Sequence, residues 1–116
     1  MIIPPDFRYD IQVVSVIDGD TIDAILQRDI GFKHVATWRQ RLRIACIDCP
    51  EVTGQARFAG LAATAFTRDW LAKEPCAAET FKQDNFGRWL AKVFRADGSS
   101  LAESLVTAGH AIPFTR

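Results

Sequence analysis

The sequence predicts a mainly β chain of the α+β class: a five-stranded barrel with one helix inserted after its third strand and a short helix near its C-terminus. Three observations predict it. Alternating and β-branched runs of strand length are separated by Gly- and Asn-containing turn signals, one long stretch of helical spacing occupies the middle of the chain, and 116 residues leave room for a single core. With 48% hydrophobic and 24% charged residues, the chain has enough apolar side chain to fill that core without staples. One domain over residues 1–116 is therefore expected.

The first strand is read from the β-branched run at residues 11–17, which stops at Asp18-Gly19, a hairpin signal. Its partner begins at Thr21 and alternates loosely through residue 27. Residues 28–38, with Gly31 and mixed polarity, read as an excursion or long turn. A third strand over residues 40–47 places Arg41 and Arg43 on one face by its period of two, and Cys49-Pro50 ends it. Helical spacing follows over residues 55–73, where Phe58, Leu61, Ala62, Ala65, Phe66 and Trp70 recur at three- and four-residue intervals with no proline before Pro75. Residues 77–82 and 89–95 form the last strand pair around a turn at 83–87. Ser100 and Glu103 make a capping box that opens a short helix ending at Gly109, and the tail from His110 reads as extended. Short strands with one inserted helix and a small late one are the pattern of an OB-fold barrel.

Charge narrows the partners. The 14 basic and 14 acidic residues cancel, so no polycationic surface exists to hold a polyanion by counterion release alone, and any such partner must be gripped locally. Met1-Ile2-Ile3-Pro4-Pro5-Asp6 has no basic stretch leading into an apolar run, and no stretch of about 18 apolar residues occurs, so neither a membrane partner nor an export signal is expected. An odd number of cysteines, three, suits reduced thiols and a cytoplasmic setting, with secretion from a longer precursor left open.

The chemistry-bearing residues sit at strand ends. Asp20 follows the Gly19 turn, and Asp48 stands where the third strand gives way to Cys49-Pro50-Glu51. If the hairpin and the third strand are neighbours, the two carboxylates meet, and they repel unless a cation lies between them. Oxygen ligands with room for water favour a hard ion such as calcium over zinc. Glu51 would lie at the edge of that site, able to orient or deprotonate a water. Arg43 and Arg88 carry planar guanidinium groups, the donors that best meet charge building on a phosphoryl group. Taken singly, each residue reads as a turn or loop polar group; only their joint arrangement points to a site.

That arrangement resembles the staphylococcal (micrococcal) nuclease family. The resemblance is carried by Asp18-Gly19-Asp20-Thr21, by residues 43–51 (Arg-Ile-Ala-Cys-Ile-Asp-Cys-Pro-Glu), by Asp84-Asn85-Phe86-Gly87-Arg88, and by residues 101–106 with Gly109, in order and spacing from about Val13 to Ala111. It implies an OB-fold, calcium-dependent endonuclease that acts on DNA or RNA and leaves 3′-phosphate ends. By motif position it implies one calcium ion held by Asp20, Asp48 and the backbone carbonyl of Cys49. Glu51 would be the general base, Arg43 and Arg88 would grip the scissile phosphate, and Phe86 would lie beside the nucleotide. Cys49 stands where the family often has Thr or Ala, and Phe86 where Tyr is common. The alternative expectation is a non-catalytic OB module that binds nucleic acid or protein. Cys46-x-x-Cys49 invites a zinc reading, but Cys76, His34 and His110 lack the pair spacing to complete four ligands.

Overall fold

In the computed structural model, which describes residues 8–114, the β-branched N-terminal run forms β1 (Arg8–Asp18) and turns through Gly19 and Asp20 into β2 (Thr21–Gly31). The antiparallel register, Asp18 opposite Thr21, is the hairpin that Asp18-Gly19 signals. The N-terminal stretch of residues 1–6, read above for an export signal, lies outside the described residues, as do the last two residues of the tail.

Residues 28–38 are not an excursion. The ladder between β2 and β3 (His34–Ile44) continues outward with Asp29 opposite Val35, and a two-residue loop of Phe32 and Lys33 closes it. Both loop residues have positive φ, 57° and 62°, the geometry of a type I′ turn. That turn normally advertises itself by Asn and Gly, and Phe-Lys hides it. The arm beyond the barrel has no core to face, so Ile30 and Val35 stay in water and the alternation that marks a strand is blurred.

β5 (Cys76–Gln83) and β6 (Trp89–Arg95) follow the expected turn, and the order β1-β2-β3-β6-β5 closes the five-stranded barrel. Closure uses a short parallel pairing of Leu42–Ile44 in β3 with Trp89–Ala91 in β6 and an antiparallel pairing of β1 with β5. Ile22, Ala24, Leu26, Leu42, Ile44, Ala78, Ala91 and Val93 fill the interior, and each buried aliphatic side chain contributes roughly 1.5–3 kcal/mol of transfer free energy. No helix among the described residues is long and apolar enough to cross a membrane.

A 3₁₀ turn at Gly54–Ala56 leads into α1 (Arg57–Lys73), which lies where helical spacing predicts it. Its buried face differs from the large-residue pattern: Phe58 and Leu61 are exposed, and Gly60, Ala63, Thr64, Thr67, Trp70 and Leu71 face inward. The reason is close approach. A Cβ at Gly60 would collide with the Glu51 carbonyl, and Thr67 donates its hydroxyl to the Gly19 carbonyl at 2.7 Å, so only small residues let the helix settle on these two loops. The short α2 (Leu101–Thr107) is capped by Ser100, whose Oγ accepts from the Glu103 amide at 3.3 Å. The tail then pairs its β7 (Ile112–Pro113) with β4 (Ile47–Asp48).

Candidate active site

The site begins as a backbone arrangement. At the end of β3 the amide of Ile44 donates to the Asp20 carbonyl at 2.7 Å, and the amide of Ala45 donates to Ala91 at 2.9 Å. Cys46 then takes a left-handed conformation, φ 69°, and reverses the chain so that the Ile47 carbonyl faces back toward Arg43. The turn at residues 18–20 is thereby held by β3 on one side and by Thr67 of α1 on the other. Space there is tight: a Cβ on Gly19 would sit 2.8 Å from the Ala63 Cβ and 2.9 Å from the Cys49 sulfur.

Into this frame project Asp20, Arg43 and Asp48. The Arg43 guanidinium is 4% exposed; its Nη1 donates to the carbonyls of Ile44 at 2.9 Å and Ile47 at 3.1 Å. The same Nη1 lies 2.9 Å from Asp20 Oδ2, and Nη2 donates to Asp48 Oδ1 at 3.2 Å. Asp20 Oδ2 also accepts from the Cys49 amide at 2.9 Å, and Thr21 Oγ1 donates to Oδ1 at 3.4 Å. One guanidinium therefore gathers both carboxylates, with Asp20 buried and Asp48 half in water.

Burial pushes the Asp20 carboxyl up to about 7, and a hydrogen bond with the Asp18 carboxyl adds to the rise; Arg43 and the Cys49 amide pull it back in part. Burial therefore disfavours the charged form of Asp20 even beside Arg43. Burial also pushes the Cys49 thiol up to about 12, reinforced by the Asp20 and Asp18 carboxylates, so Cys49 stays a neutral thiol rather than a nucleophile or a thiolate ligand. Cys46 is exposed on the other side of the turn.

The second half of the site is the turn between β5 and β6. Asp84 accepts from the amides of Phe86 at 2.9 Å and Arg88 at 3.0 Å, and its Oδ2 accepts from Arg88 Nε at 2.8 Å. Arg88 is thus aimed by a carboxylate on its own turn. Phe86, fully in solvent, lies 5.3 Å from that guanidinium. Arg88 and Phe86 face Ile17, Asp18, Thr21 and Arg41 across a groove of about 370 Å³. Arg41 stands two residues from Arg43 on the same strand face and pairs with Asp23 at 2.9 Å, while Arg39 pairs with Asp23 at 3.4 Å.

Of the residues singled out from sequence, Asp20, Arg43 and Asp48 come together directly, Cys49 joins them through its amide rather than its carbonyl, and Arg88 with Phe86 lines a neighbouring groove with Asp18 and Thr21, which flank Asp20 in the turn. Glu51 is exposed, at the end of the loop that Gly60 braces, and joins none of the described ion pairs. Among the described residues no three His, Cys, Asp or Glu side chains converge as a ready metal cluster. The donor set nonetheless fits a hard divalent cation in kind: two carboxylates held on one guanidinium, Asp48 with half its side chain open to water. The sequence reading noticed Asp18, Arg41 and Asp84 and gave none of them a part in the site. Arg41 was visible in the period of two it shares with Arg43. Asp84 carried the signal of a side chain two residues before an amide it can accept from, as Asx turns require.

Residues 41–115 match the family described as staphylococcal nuclease homologue. Two relatives, each named an uncharacterized endonuclease, from Escherichia coli O157:H7 and Escherichia coli, are 32% identical over 100 residues, covering 86% of this chain. The chain spans 58% of the length of these relatives. The matched region runs from the arginine face of β3 through the Asp48 turn, the inserted helix and the Asp84–Arg88 turn to the tail that pairs with β4, on a barrel closed as that fold requires, and the chain belongs to the staphylococcal nuclease homologue family.

Proposed function

We propose that this domain is a calcium-dependent endonuclease that hydrolyses phosphodiester bonds of DNA or RNA and leaves 3′-phosphate ends. The observation that carries the reading is the buried Arg43 guanidinium holding Asp20 and Asp48 side by side, a few residues from a groove walled by Arg88 and Phe86. Membership of the family and the endonuclease names of its relatives support the same reading.

Asp20, Asp48 and the Cys49 carbonyl would hold the ion, with water completing the six to eight oxygens calcium takes. Bound there, the ion would supply charge against the phosphoryl oxygens. The protein's own groups do the rest. Arg88, preset by Asp84, presents parallel N–H donors to the phosphate, and Arg43 shares its guanidinium between Asp48 and the same anion. Glu51 takes a proton from the attacking water, the water oxygen bonds to phosphorus, and the bond from phosphorus to the 5′ oxygen breaks, that oxygen taking a proton from solvent water to leave as a hydroxyl. General-base help of this kind contributes about 10² to 10⁴ in rate, so it is one part of the catalyst.

The test is a cleavage assay on denatured DNA with calcium, magnesium and chelator in parallel. Calcium-dependent release of 3′-phosphate fragments, lost in Glu51→Ala and Arg88→Ala with the fold intact, is expected. Calcium-independent binding of the same DNA without any cleavage would replace the enzyme by a binding module.

A further inference from the structure

Arg39, Arg41 and Arg43 stand two residues apart on β3, so the strand's period of two sends all three to one face. Opposite them on β2 come Ile25, Asp23 and Thr21. The three guanidinium groups are matched to carboxylates unequally. Arg43 meets two, Asp20 and Asp48, whereas Arg39 and Arg41 share one, Asp23. The inner end of the row therefore gathers negative charge, which suits a cation, and the outer end carries one positive charge in excess, which suits an anion.

That excess is held in place. Arg41 Nε donates to Asp23 Oδ1 at 2.9 Å and its Nη2 to Oδ2 at 3.4 Å, the two-point geometry that fixes the plane of a guanidinium. Arg39 Nη2 donates to the same Oδ2 at 3.4 Å. The carboxylate that anchors both has only 12% of its side chain exposed, while half of Arg41 and 63% of Arg39 stay in water. Among the described residues nothing accepts from Arg41 Nη1.

Arg41 is also a wall of the groove that holds Arg88 and Phe86. Each of the two arginines is directed by a carboxylate of its own, Arg41 by Asp23 and Arg88 by Asp84. Asp18 is the acidic residue of the groove lining, and its Oδ1 already accepts from the Asp20 amide at 3.2 Å.

We infer that Arg41, with Arg39 beyond it, is a second phosphate-binding position: it takes the phosphate next to the one being cut, while Arg43 and Arg88 hold the scissile phosphate. This rests on the nuclease reading above and extends it from one phosphate to a stretch of backbone running outward along β3. From Arg43 to Arg41, and again from Arg41 to Arg39, the strand rises about 6–7 Å. That step is close to the separation of successive phosphates along one nucleic-acid strand. Phosphate contacts carry no base information, so the added grip is independent of sequence.

The experiment follows, by fluorescence anisotropy over a salt series with calcium present, a labelled eight-nucleotide DNA strand binding to the Glu51→Ala chain. Adding Arg41→Gln should weaken binding about tenfold at low salt, the worth of one hydrogen bond to a charged group. It should also make the slope of log affinity against log salt shallower by about 0.7, one phosphate contact on a single strand. Arg39→Gln should give the same change of slope with a smaller loss of affinity, since either variant removes the excess charge. Arg41→Lys, which keeps that charge, should restore most of the slope. Strands of dA alone and dT alone should respond alike. In the otherwise native chain, Arg41→Gln should raise KM on the eight-nucleotide strand far more than on a thymidine nitrophenyl phosphodiester, which has a single phosphate. Unchanged slopes in both Gln variants, or an equal rise of KM on the two substrates, overturns the proposal and leaves Arg41 as a partner of Asp23 alone. If Arg41→Gln does not fold, the more exposed Arg39→Gln carries the test. Absence of all cleavage by the native chain would sink the nuclease reading, while the salt slopes still judge Arg41 as a phosphate contact.

Discussion

Arg43 is an ionised group withdrawn from water, and it is tolerable there only because two carbonyls and two carboxylates surround it. Arg43→Met strands Asp20 without its counter-charge and should destabilise the domain by about 3–5 kcal/mol in urea unfolding, the usual cost of removing one partner of a buried pair. Asp20→Asn should be milder, because burial already disfavours the charged form that it removes. The same variant tests the ion. Calcium at about 100 times its dissociation constant should stabilise the native chain by about 2.7 kcal/mol, read as a rise in Tm, and leave Asp20→Asn unmoved; an equal rise in both would take Asp20 out of the calcium site. Asp84 gives a pH signature. Burial acts to raise its carboxyl, but the amides of Phe86 and Arg88 and the Arg88 guanidinium together hold it below the usual carboxylate range. A carboxyl depressed in the folded state contributes stability that is complete above its unfolded value of about 3.9 and is lost as pH falls through the lower folded value. The amide shifts of Phe86 and Arg88 should therefore titrate with a midpoint below that of a free aspartate, and a midpoint at or above it would show that Asp84 does not clamp the turn.

At the scale of elements, α1 works less as a hydrophobic slab than as a spacer that sets two loops. Gly60 against the Glu51 carbonyl and Thr67 on the Gly19 carbonyl fix where Glu51 and Asp20 sit. Gly60→Ala leaves helix propensity improved and yet forces backbone apart, so a loss of about 1–3 kcal/mol is expected from overpacking. Cleavage should fall further than that loss explains, because the shift moves Glu51; a fully active Gly60→Ala chain would separate the helix from the site. The β2–β3 arm makes the opposite point. Phe32 and Lys33 hold left-handed backbone at the tip, so replacing them by Asn-Gly should stabilise the chain by about 1 kcal/mol in urea unfolding, with the register unchanged. The same arm explains a misreading: strand character in residues 28–38 comes from the ladder to a partner, which a local pattern without a buried face cannot display.

At the scale of the molecule, the chain closes on its own site. The last described strand pairs Ile112 with Asp48 and Pro113 with Ile47, and the Phe114 amide donates to the Cys46 carbonyl at 2.9 Å. A chain ending at Ala111 should keep its barrel by far-ultraviolet circular dichroism and lose most of the calcium-stimulated cleavage proposed above, because Asp48 loses the strand that steadies it. Much of this was legible beforehand. The hairpin at Asp18-Gly19, the strand at residues 89–95, the helix extent and the Ser100 cap are local matters of turn chemistry and periodicity; length and composition asked for one core, and the order of strands and helices asked for the barrel. The candidate residues Asp20, Arg43, Asp48, Glu51 and Arg88 could be picked out at strand ends and turns, where their joint arrangement, and no one of them, pointed to a site. Only the tertiary structure decided that one guanidinium gathers Asp20 and Asp48 and that α1 buries its small face. Each depends on how closely distant segments approach, and close approach is set by the volumes of side chains on both partners at once, which no single stretch of sequence contains.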